Sequence, residues 1–309
     1  MKRKQRYLQA AILLLVCASC KKGVDVPPPV FDVVASNTTV GVGDSITFTF
    51  TGGADAITFW AGDSSRIYEN RQRITISNGT PQFSFESLRQ FGNNPGVADS
   101  TMQLFASRDY NGILSVKDVA AATWINLTDK AQWSTGINSE YTASGFVDLS
   151  GIASKNAEGR DSAIYLAFRY HEAQNEATRR AWYLRNYSVD NLLPDGSRVN
   201  VAAGNMSWGT VMVKDSLRTW FIYATSSLMW GGNADFPETE DWLISQPVFL
   251  DRIKPDLGTN VKLSNTTIQK EYTFPGYARP GIYEVVFVAT NVNRWDEKNI
   301  VKRIKITVQ

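Results

Sequence analysis

Apolar and polar residues alternate over short stretches along most of this chain, and Ile46–Thr51 is a clear example. These stretches are rich in β-branched and aromatic residues and are bounded by Gly, Asn, Asp and Pro, which is the pattern of half-buried strands. No stretch keeps a helical period, and we expect short helical turns only at Phe85–Gln90 and Val116–Ala122, where the strand pattern fades. The pattern therefore predicts an all-β fold.

The two ends of the chain carry similar strand patterns. Phe31–Ala61 predicts three strands, and three more are predicted by Glu271–Phe274, Ile282–Thr290 and Ile300–Val308. In the last of these, the isoleucines and the final valine fall on one face, while most charged residues fall on the other. One buried face and one solvated face are what an antiparallel sandwich requires.

The segments at the two ends resemble the two halves of a PKD or immunoglobulin-like domain. Val40–Phe50 is similar to the opening half, and Tyr272–Phe274 with Pro280–Asn291 is similar to the closing half. Neither half has enough strands to close a sandwich, whereas together they make roughly 100 residues, the usual size of such a domain. The resemblance implies one discontinuous β-sandwich, with Tyr283 at the place of a tyrosine corner.

The region between the two halves predicts a second domain. We expect residues 31–74 and 251–309 to form the interrupted domain and residues 75–250 to form the insert. Asp241–Pro247 resembles a phrase of the cleaved-adhesin, choice-of-anchor family of jelly-roll modules, whereas Arg185 stands where that family has an acidic residue. Five strand patterns follow the order of those modules: Met102–Ser107, Thr123–Leu127, Gly145–Leu149, Ile164–Tyr170 and Trp182–Val189. The resemblance implies an Ig/PKD-like sandwich interrupted by an inserted jelly-roll sandwich.

The N-terminus has the pattern of a lipoprotein signal peptide. A cationic start is followed by a short apolar run, Ala10–Val16, and by two small residues directly before Cys20. This run is far shorter than the roughly 20 residues of a spanning helix, which argues against the alternatives of a buried first helix or an ordinary membrane anchor. We predict a signal peptide over residues 1–19, lipidation at Cys20, and an extended Pro-rich spacer that completes residues 20–30.

Composition narrows the chemistry. Four of the 32 basic residues lie in the predicted signal peptide, which leaves 28 basic against 30 acidic residues, and this balance argues against nucleic acid as a partner. Cys17 and Cys20 are the only cysteines, which excludes thiol catalysis and cysteine-ligated metals in the mature chain. His171 is the only histidine, which excludes a site with several histidine ligands. We interpret His171 as a loop residue.

The densest group of carboxylates is Glu238–Asp241. Jelly-roll folds include glycosidases that work with paired carboxylates, so this group is a candidate acid and base. The spacing argues against catalysis, because Pro237 interrupts the strand pattern and the three-carboxylate alternation typical of those enzymes is absent. We favour a solvated turn before Trp242, assign no catalytic residue, and expect the protein not to be an enzyme.

Asp109 and Asn111 form a candidate metal site. They place two oxygen-bearing side chains two positions apart in a loop closed by Gly112, a spacing that can wrap calcium. An Asx turn explains the same residues without a metal, and the acidic residue that ends a calcium loop is missing nearby. Structural calcium is the only cofactor that the pattern suggests, and the Asx turn is the favoured interpretation.

Tryptophan indicates a sugar-binding surface, because an indole stacks on the apolar face of a sugar ring and keeps an N–H for a hydroxyl. Of the 9 tryptophans, four lie inside strand patterns and are expected to be buried: Trp124, Trp182, Trp220 and Trp242. Trp133 and Trp230 lie in Gly- and Ser-bearing loops. We therefore predict ligand contacts by exposed Trp133 and Trp230, with Trp208 behind them and Asn233 beside Trp230.

The whole arrangement, including Ile57–Trp60 and Tyr68–Arg71, resembles surface lipoproteins of Bacteroidota that share a domain of unknown function, number 5017. The resemblance implies an outer-membrane lipoprotein of a glycan-uptake system, facing the cell surface or, as an alternative, the periplasm. We expect non-catalytic binding of a polysaccharide or glycoconjugate, membrane attachment through the Cys20 lipid, and partnership with an outer-membrane transporter. A structural or adhesion module that binds another protein is the alternative, and a glycoside hydrolase is least favoured.

Overall fold

The computed structural model describes residues 25–309 except 93–95, 97–99, 138, 154, 156–158, 160, 175–178, 203–205, 215–217 and 233–235. Strands account for 49% of the described residues and helices for 5%, which confirms the all-β prediction. The strands are β1 (Val30–Ala35), β2 (Thr39–Val40), β3 (Ile46–Gly53), β4 (Ala56–Trp60), β5 (Thr80–Gln90), β6 (Met102–Ser107), β7 (Ile125–Asn126), β8 (Thr142–Ala143), β9 (Val147–Asp148), β10 (Tyr165–Glu172), β11 (Ala181–Leu192), β12 (Arg198–Ala202), β13 (Trp208–Lys214), β14 (Phe221–Ile222), β15 (Ser226–Trp230), β16 (Thr239–Ser245), β17 (Thr259–Lys262), β18 (Glu271–Phe274), β19 (Gly281–Val292) and β20 (Glu297–Val308).

The helices of the described residues are short. The α-helix α1 covers Val116–Ala121, and 3-10 helices cover Tyr68–Gln72 and Thr128–Lys130. Within the described ranges, none of them has the length and apolar character needed to cross a membrane.

The chain divides into two compact units. Unit 1 consists of the residues up to Gln72 together with Pro255–Gln309, and unit 2 consists of Arg73–Lys254. Unit 1 is therefore discontinuous in sequence, because the whole of unit 2 lies between its two parts.

Unit 1 is a sandwich of two sheets. One sheet has the order β1-β3-β18, and the other has the order β17-β4-β19-β20-β2. The pairings are antiparallel except that of β2, which pairs in parallel with the end of β20. Each sheet contains strands from before and after unit 2, so neither part of unit 1 forms a complete sheet alone.

The core of unit 1 follows from the alternation in its strands. In β3, Ile46, Phe48 and Phe50 are buried while the threonines between them are partly or fully exposed. The Phe48 ring lies 5.7 Å from the Phe59 ring and 5.0 Å from the Phe287 ring. The same cluster also includes Phe31, Ile57, Phe274, Val285 and Ile306. The two ends of the chain therefore share one hydrophobic core.

Tyr283, at the start of β19, makes the backbone contact of a tyrosine corner. Its hydroxyl donates to the carbonyl of Arg279 at 3.0 Å, and its ring stacks on Tyr277 with the centroids 3.8 Å apart. The hydroxyl of Tyr277 donates in turn to the carbonyl of Ala61 at 2.6 Å. These contacts connect the turn before β19 to the end of β4.

The Pro-rich segment before β1 differs from the predicted extended spacer. Val26 and Pro29 are buried, and the carbonyl of Pro27 accepts a hydrogen bond from Asn291 Nδ2 at 3.0 Å. The segment packs on unit 1 because these two apolar side chains remove surface from water and Asn291 satisfies a backbone carbonyl between them. Cys20 lies outside the described residues.

Unit 2 also consists of two sheets with antiparallel pairings. One has the order β13-β16-β10-β6-β7. The other has the order β14-β15-β11-β5-β8, with β12 beside β11 and β9 beside β5. The main core cluster includes Phe83, Phe85, Phe168, Trp182, Tyr187, Trp220 and Leu243. The prediction that Trp182, Trp220 and Trp242 are buried is confirmed, and Trp124 is half-buried.

The two regions that were expected to form helical turns have different structures. The turn at Val116–Ala122 is confirmed, and the Ser115 side chain caps α1 by accepting from the backbone N–H of Asp118 at 3.1 Å. The prediction of a helical turn at Phe85–Gln90 is wrong, because this segment is the end of β5 and pairs with β11. Ser87–Arg89 are all buried, so the period of two fades there because both faces of the strand are covered.

Candidate functional site

A groove of about 350 Å³ lies on the outer face of the β13-β16-β10-β6-β7 sheet. Phe105 of β6, Arg169 of β10, and Glu240 and Trp242 of β16 form its floor, because they alternate with residues that point into the main core. The other side is formed by α1 and the segment that follows it: Val116, Val119, Ala120, Ala122 and Trp124. We call this site the α1 groove.

The polar groups of the α1 groove are held in fixed positions. Arg169 Nε donates to Glu240 Oε1 at 2.9 Å, and Arg169 Nη1 donates to Gln103 Oε1 at 2.9 Å. Trp242 Nε1 donates to the same Glu240 oxygen at 3.0 Å. Partial burial acts to raise the pKa of Glu240, but the bonds from Arg169 and Trp242 outweigh it and hold the pKa below its usual value. Glu240 is therefore an ionised hydrogen-bond acceptor at neutral pH.

Aromatic rings form a continuous cluster beside this ion pair. The centroid of Trp242 lies 5.0 Å from that of Trp124 and 5.3 Å from that of Phe105, and the Arg169 guanidinium lies 6.0 Å from the Trp242 ring. Trp124 Nε1 donates to the carbonyl of Val119 at 2.9 Å, which fixes that indole against α1. The groove thus combines rigid apolar faces with a few oriented polar groups, as small-molecule sites do.

Glu238, two residues before Glu240, makes a second group of charged contacts. His171 Nε2 lies 2.8 Å from Glu238 Oε1, and Lys214 Nζ donates to that oxygen at 2.7 Å. Lys214 and then His171 lower the pKa of Glu238 to about 2. The interpretation of His171 as a loop residue is wrong, because it lies in β10 and pairs with Glu240 of β16.

The interpretation of Glu238–Asp241 as a solvated turn is also wrong. β16 begins at Thr239, and Asp241 is fully buried on the core side of that strand. Burial raises the pKa of Asp241 to about 8. In the described part of the chain neither carboxyl oxygen has a hydrogen-bond partner, so nothing offsets the effect of burial in full.

The expected exposure of Trp133 is wrong. The segment around it runs along β5, since the Ser134 backbone N–H donates to Ser87 Oγ at 3.0 Å, and this turns the indole inward. Its Nε1 donates to the carbonyl of Thr128 at 2.9 Å, and its ring lies 5.0 Å from Phe85. Trp133 therefore packs on the main core of unit 2.

Trp208, predicted to contact the ligand from behind Trp133 and Trp230, is half-buried and packs on the core of unit 2. It begins β13 and pairs with Ser245, and its ring lies 5.5 Å from Phe168 and 4.7 Å from Tyr187. Its orientation follows from the register of β13, in which alternate residues face the two sides of the sheet.

Trp230 is the predicted ligand residue that lies at the surface. It ends β15 and is 39% exposed, and the Arg218 guanidinium lies 5.6 Å from its ring. Its contact with a ligand stays a prediction. Asn233, predicted beside it, lies outside the described residues.

In the loop at Asp109 and Asn111, Asn111 makes the hydrogen bond of an Asx turn, whereas Asp109 bonds to residues before and after the loop. Asp109 Oδ1 accepts from the Thr123 backbone N–H and from Ser107 Oγ, each at 2.8 Å. Asn111 Oδ1 accepts from the Ile113 backbone N–H at 2.9 Å. The part of the chain that the structure describes holds no group of three or more His, Cys, Asp or Glu side chains arranged to bind a metal. The Asn111 contact fits the Asx-turn interpretation, and calcium binding by this loop stays an alternative prediction.

The residues of the α1 groove were not identified as a group from the sequence. Gln103 and Glu240 lie 66 and 71 positions from Arg169, and only the sheet order brings them together. One signal was present, because Arg169 is a charged residue within the otherwise apolar pattern of Ile164–Tyr170. A charge at such a position marks the outward face of a strand and a candidate for binding.

Comparison with known proteins gives one family. The model of a family described as a domain of unknown function (DUF5017) matches residues 19–208, which include β6, α1 and β10 of the groove. Among curated proteins, none matches the chain. Because the match covers more than half of the chain, this protein belongs to the DUF5017 family.

Proposed function

We propose that this protein is a non-catalytic lipoprotein that binds a polysaccharide or glycoconjugate in the α1 groove. The observation that carries the proposal is the fixed Arg169–Glu240 pair beside the rings of Phe105, Trp124 and Trp242. A sugar ring has an apolar face that packs on aromatic surface and hydroxyls that need both donors and acceptors. The groove offers aromatic surface, hydrogen-bond donors and hydrogen-bond acceptors. Its volume of about 350 Å³ lies within the usual range for ligand pockets.

Preorganisation of the polar groups supports binding of a neutral, hydroxyl-rich ligand. Arg169 is bound through Nε and Nη1, and among the described residues its Nη2 has no partner. A guanidinium held in this way loses little conformational entropy when it donates to a hydroxyl. The charges of Arg169 and Glu240 offset each other, so the groove has no strong preference for an ionic ligand.

The titration properties of the carboxyls support a role without catalysis. A glycosidase needs one carboxyl whose raised pKa keeps a proton available and a second that faces it across the substrate. Glu240 has a lowered pKa, and Asp241, with its raised pKa, lies on the core side of β16. Neither arrangement gives the groove a general acid.

A matched pair of arginines tests the groove. We expect Arg169→Met to weaken glycan binding by about 10- to 100-fold, because it removes charge-assisted hydrogen bonds. Arg185→Met is the control, since Arg185 also pairs with a glutamate, Glu86 at 2.7 Å, and also lies over an aromatic ring. A glycan array identifies the ligand, and calorimetry with each variant gives the affinities. Thermal unfolding checks that both variants are folded.

Three outcomes would contradict the assignment to the α1 groove. Unchanged affinity in folded Arg169→Met would exclude it. Loss of affinity in Trp230→Ala instead would move the site to the exposed end of β15. Absence of any glycan ligand for the native chain would favour the protein-binding alternative.

The protein-binding alternative has its own support in unit 2. β14 lies at one edge of its sheet in the described part of the chain, and Phe221, Ile222 and Tyr223 are exposed there. An exposed apolar edge strand can add a strand from another protein. A transporter of a glycan-uptake system is one such partner.

Lipidation at Cys20 and location in the outer membrane are part of the proposal. They are supported by the charged, apolar and small-residue zones before Cys20. We expect Cys20→Ala to move the protein from the membrane fraction to the soluble fraction, because it removes the atom that carries the lipid. Fractionation and intact mass measure this change, and an unmodified native chain cut at another position would contradict it.

A further inference from the structure

One end of unit 1 brings together several strand ends and the first described residues of the chain. At this end one turn connects β3 to β4, a second turn connects β19 to β20, and β17 ends. Asp55 connects them: its backbone N–H donates to Asn291 Oδ1 at 3.0 Å, its Oδ2 accepts from the Val292 N–H at 2.9 Å, and its carbonyl accepts from Lys262 Nζ at 2.5 Å. We call this end the start pole.

The chain reaches the start pole directly from its predicted lipid. Asn291 Nδ2 donates to the carbonyl of Pro27 at 3.0 Å, and Val26 is buried. Asp25 is five positions after Cys20 in the sequence. Five residues span at most about 18 Å even when fully extended. A lipid on Cys20 therefore keeps the start pole close to the membrane surface.

The start pole exposes large apolar side chains. Trp295 is 62% exposed at the tip of the β19–β20 turn, and Ile268, which lines one cavity together with Asp55 and Lys262, is 74% exposed. Leu263 and Val292 are also exposed there. A soluble surface normally scatters such residues singly, whereas a group of them marks an interaction site.

The turn that carries Trp295 is closed by hydrogen bonds of Asn293. Asn293 Oδ1 accepts from the backbone N–H groups of Trp295 and Asp296 at 2.8 and 3.0 Å, and the Asn293 N–H donates to the carbonyl of Asp296 at 3.0 Å. The Arg294 guanidinium lies 5.7 Å from the indole. The indole is thus held outward by a structured turn that does not use it for packing.

We propose that the start pole rests on the surface of the membrane that holds the Cys20 lipid, with the Trp295 indole in the headgroup layer. This inference depends on the proposed lipidation and is independent of glycan binding. Indoles favour that layer because the ring is apolar and its N–H is polar. Arg294 is placed to reach lipid phosphates, while Asp296 is paired with Lys298 at 3.1 Å. Apolar contact supplies most of the attraction, because the two basic and two acidic residues of Arg294–Lys298 offset each other in charge.

Quenching by brominated lipid tests the proposal. The lipidated native chain is reconstituted on phosphatidylcholine vesicles whose acyl chains carry bromine, and tryptophan fluorescence is recorded. We expect bromine to quench part of the emission, and Trp295→Ser to remove most of that quenchable part. Trp230→Ser is the matched control, because it removes the other exposed indole of the described residues and is not part of the start pole, so the quenching should remain.

Three outcomes of these measurements would overturn the proposal. Equal quenching in the native chain and Trp295→Ser, with both bound to vesicles, would mean that this indole does not meet the lipid. Self-association that is lost in Trp295→Ser without vesicles would mean that the start pole binds a second copy. An intact mass without acyl chains would overturn the lipidation itself, and the mass measurement separates that failure from the others.

Discussion

Phe287→Ala is expected to lower the free energy of unfolding of unit 1 by about 3–5 kcal/mol, the usual cost of truncating a buried phenylalanine. Phe287 is fully buried in β19, and its ring lies 5.0 Å from Phe48 and Phe59 and 5.4 Å from Phe50. These partners come from the first part of the chain, so the truncation leaves a cavity between the two halves of the unit. Urea unfolding followed by circular dichroism measures the change.

Ile282→Ala is the control for this truncation. Ile282 lies in the same strand but is 69% exposed, so its shortening removes little buried apolar surface and should cost well under about 1 kcal/mol. Similar losses in the two variants would contradict the placement of Phe287 in a core that both ends of the chain share.

Asp241 is expected to make the stability of unit 2 fall as the pH rises toward 8. Burial raises its pKa in the folded chain to about 8, whereas the pKa of an aspartate in an unfolded chain is about 3.9. Between these values the folded state binds more protons than the unfolded state, so the free energy of unfolding decreases with pH. The stabilisation linked to the protonation of Asp241 is fully present below about pH 4. By the time the pH passes 8, the free energy of unfolding has fallen by up to about 5 kcal/mol.

Asp241→Asn should remove this pH dependence, because a neutral amide has no proton to lose. The measurement is urea unfolding of unit 2 at several pH values from 5 to 8. Asp195→Asn is the control: Asp195 is exposed, and the Ser197 side chain and backbone lower its pKa, so it is ionised across this range. A slope that is the same in Asp241→Asn and the native chain would show that another group causes it.

Alternation in the sequence predicted most strands at the two ends of the chain and their buried faces, but it missed the short strands β2 and β17. Ile46, Phe48 and Phe50 are spaced by two, and this spacing alone identifies the face that meets the core. Alternation does not identify the neighbouring strand, so the sheet order could not be derived from it. The parallel pairing of Thr39 with Thr307 had no signal at all, because β2 has only two residues and therefore no period.

The candidate site was harder to predict than the fold, because exposure in a loop depends on distant segments. Trp133 stands next to Ser134 and close to Gly136, which are typical of solvated turns. The Gln132 N–H nevertheless donates to the carbonyl of Ser144 at 2.8 Å, which holds the segment against unit 2 and directs the indole inward. Local sequence contains no information about such bonds.

The split of unit 1 into two parts has a consequence for the order of folding. Unit 2 is one continuous segment, whereas unit 1 lacks β17–β20 until Pro255–Gln309 has been synthesised. Unit 2 can therefore complete its sheets while Phe48 and Phe59 still lack the cover of Phe287. Uncovered aromatic surface and unpaired strand edges favour aggregation, so this interval is when the chain most needs protection. The synthesis of unit 1 thus begins before that of unit 2, and its core is completed only after unit 2 has been made.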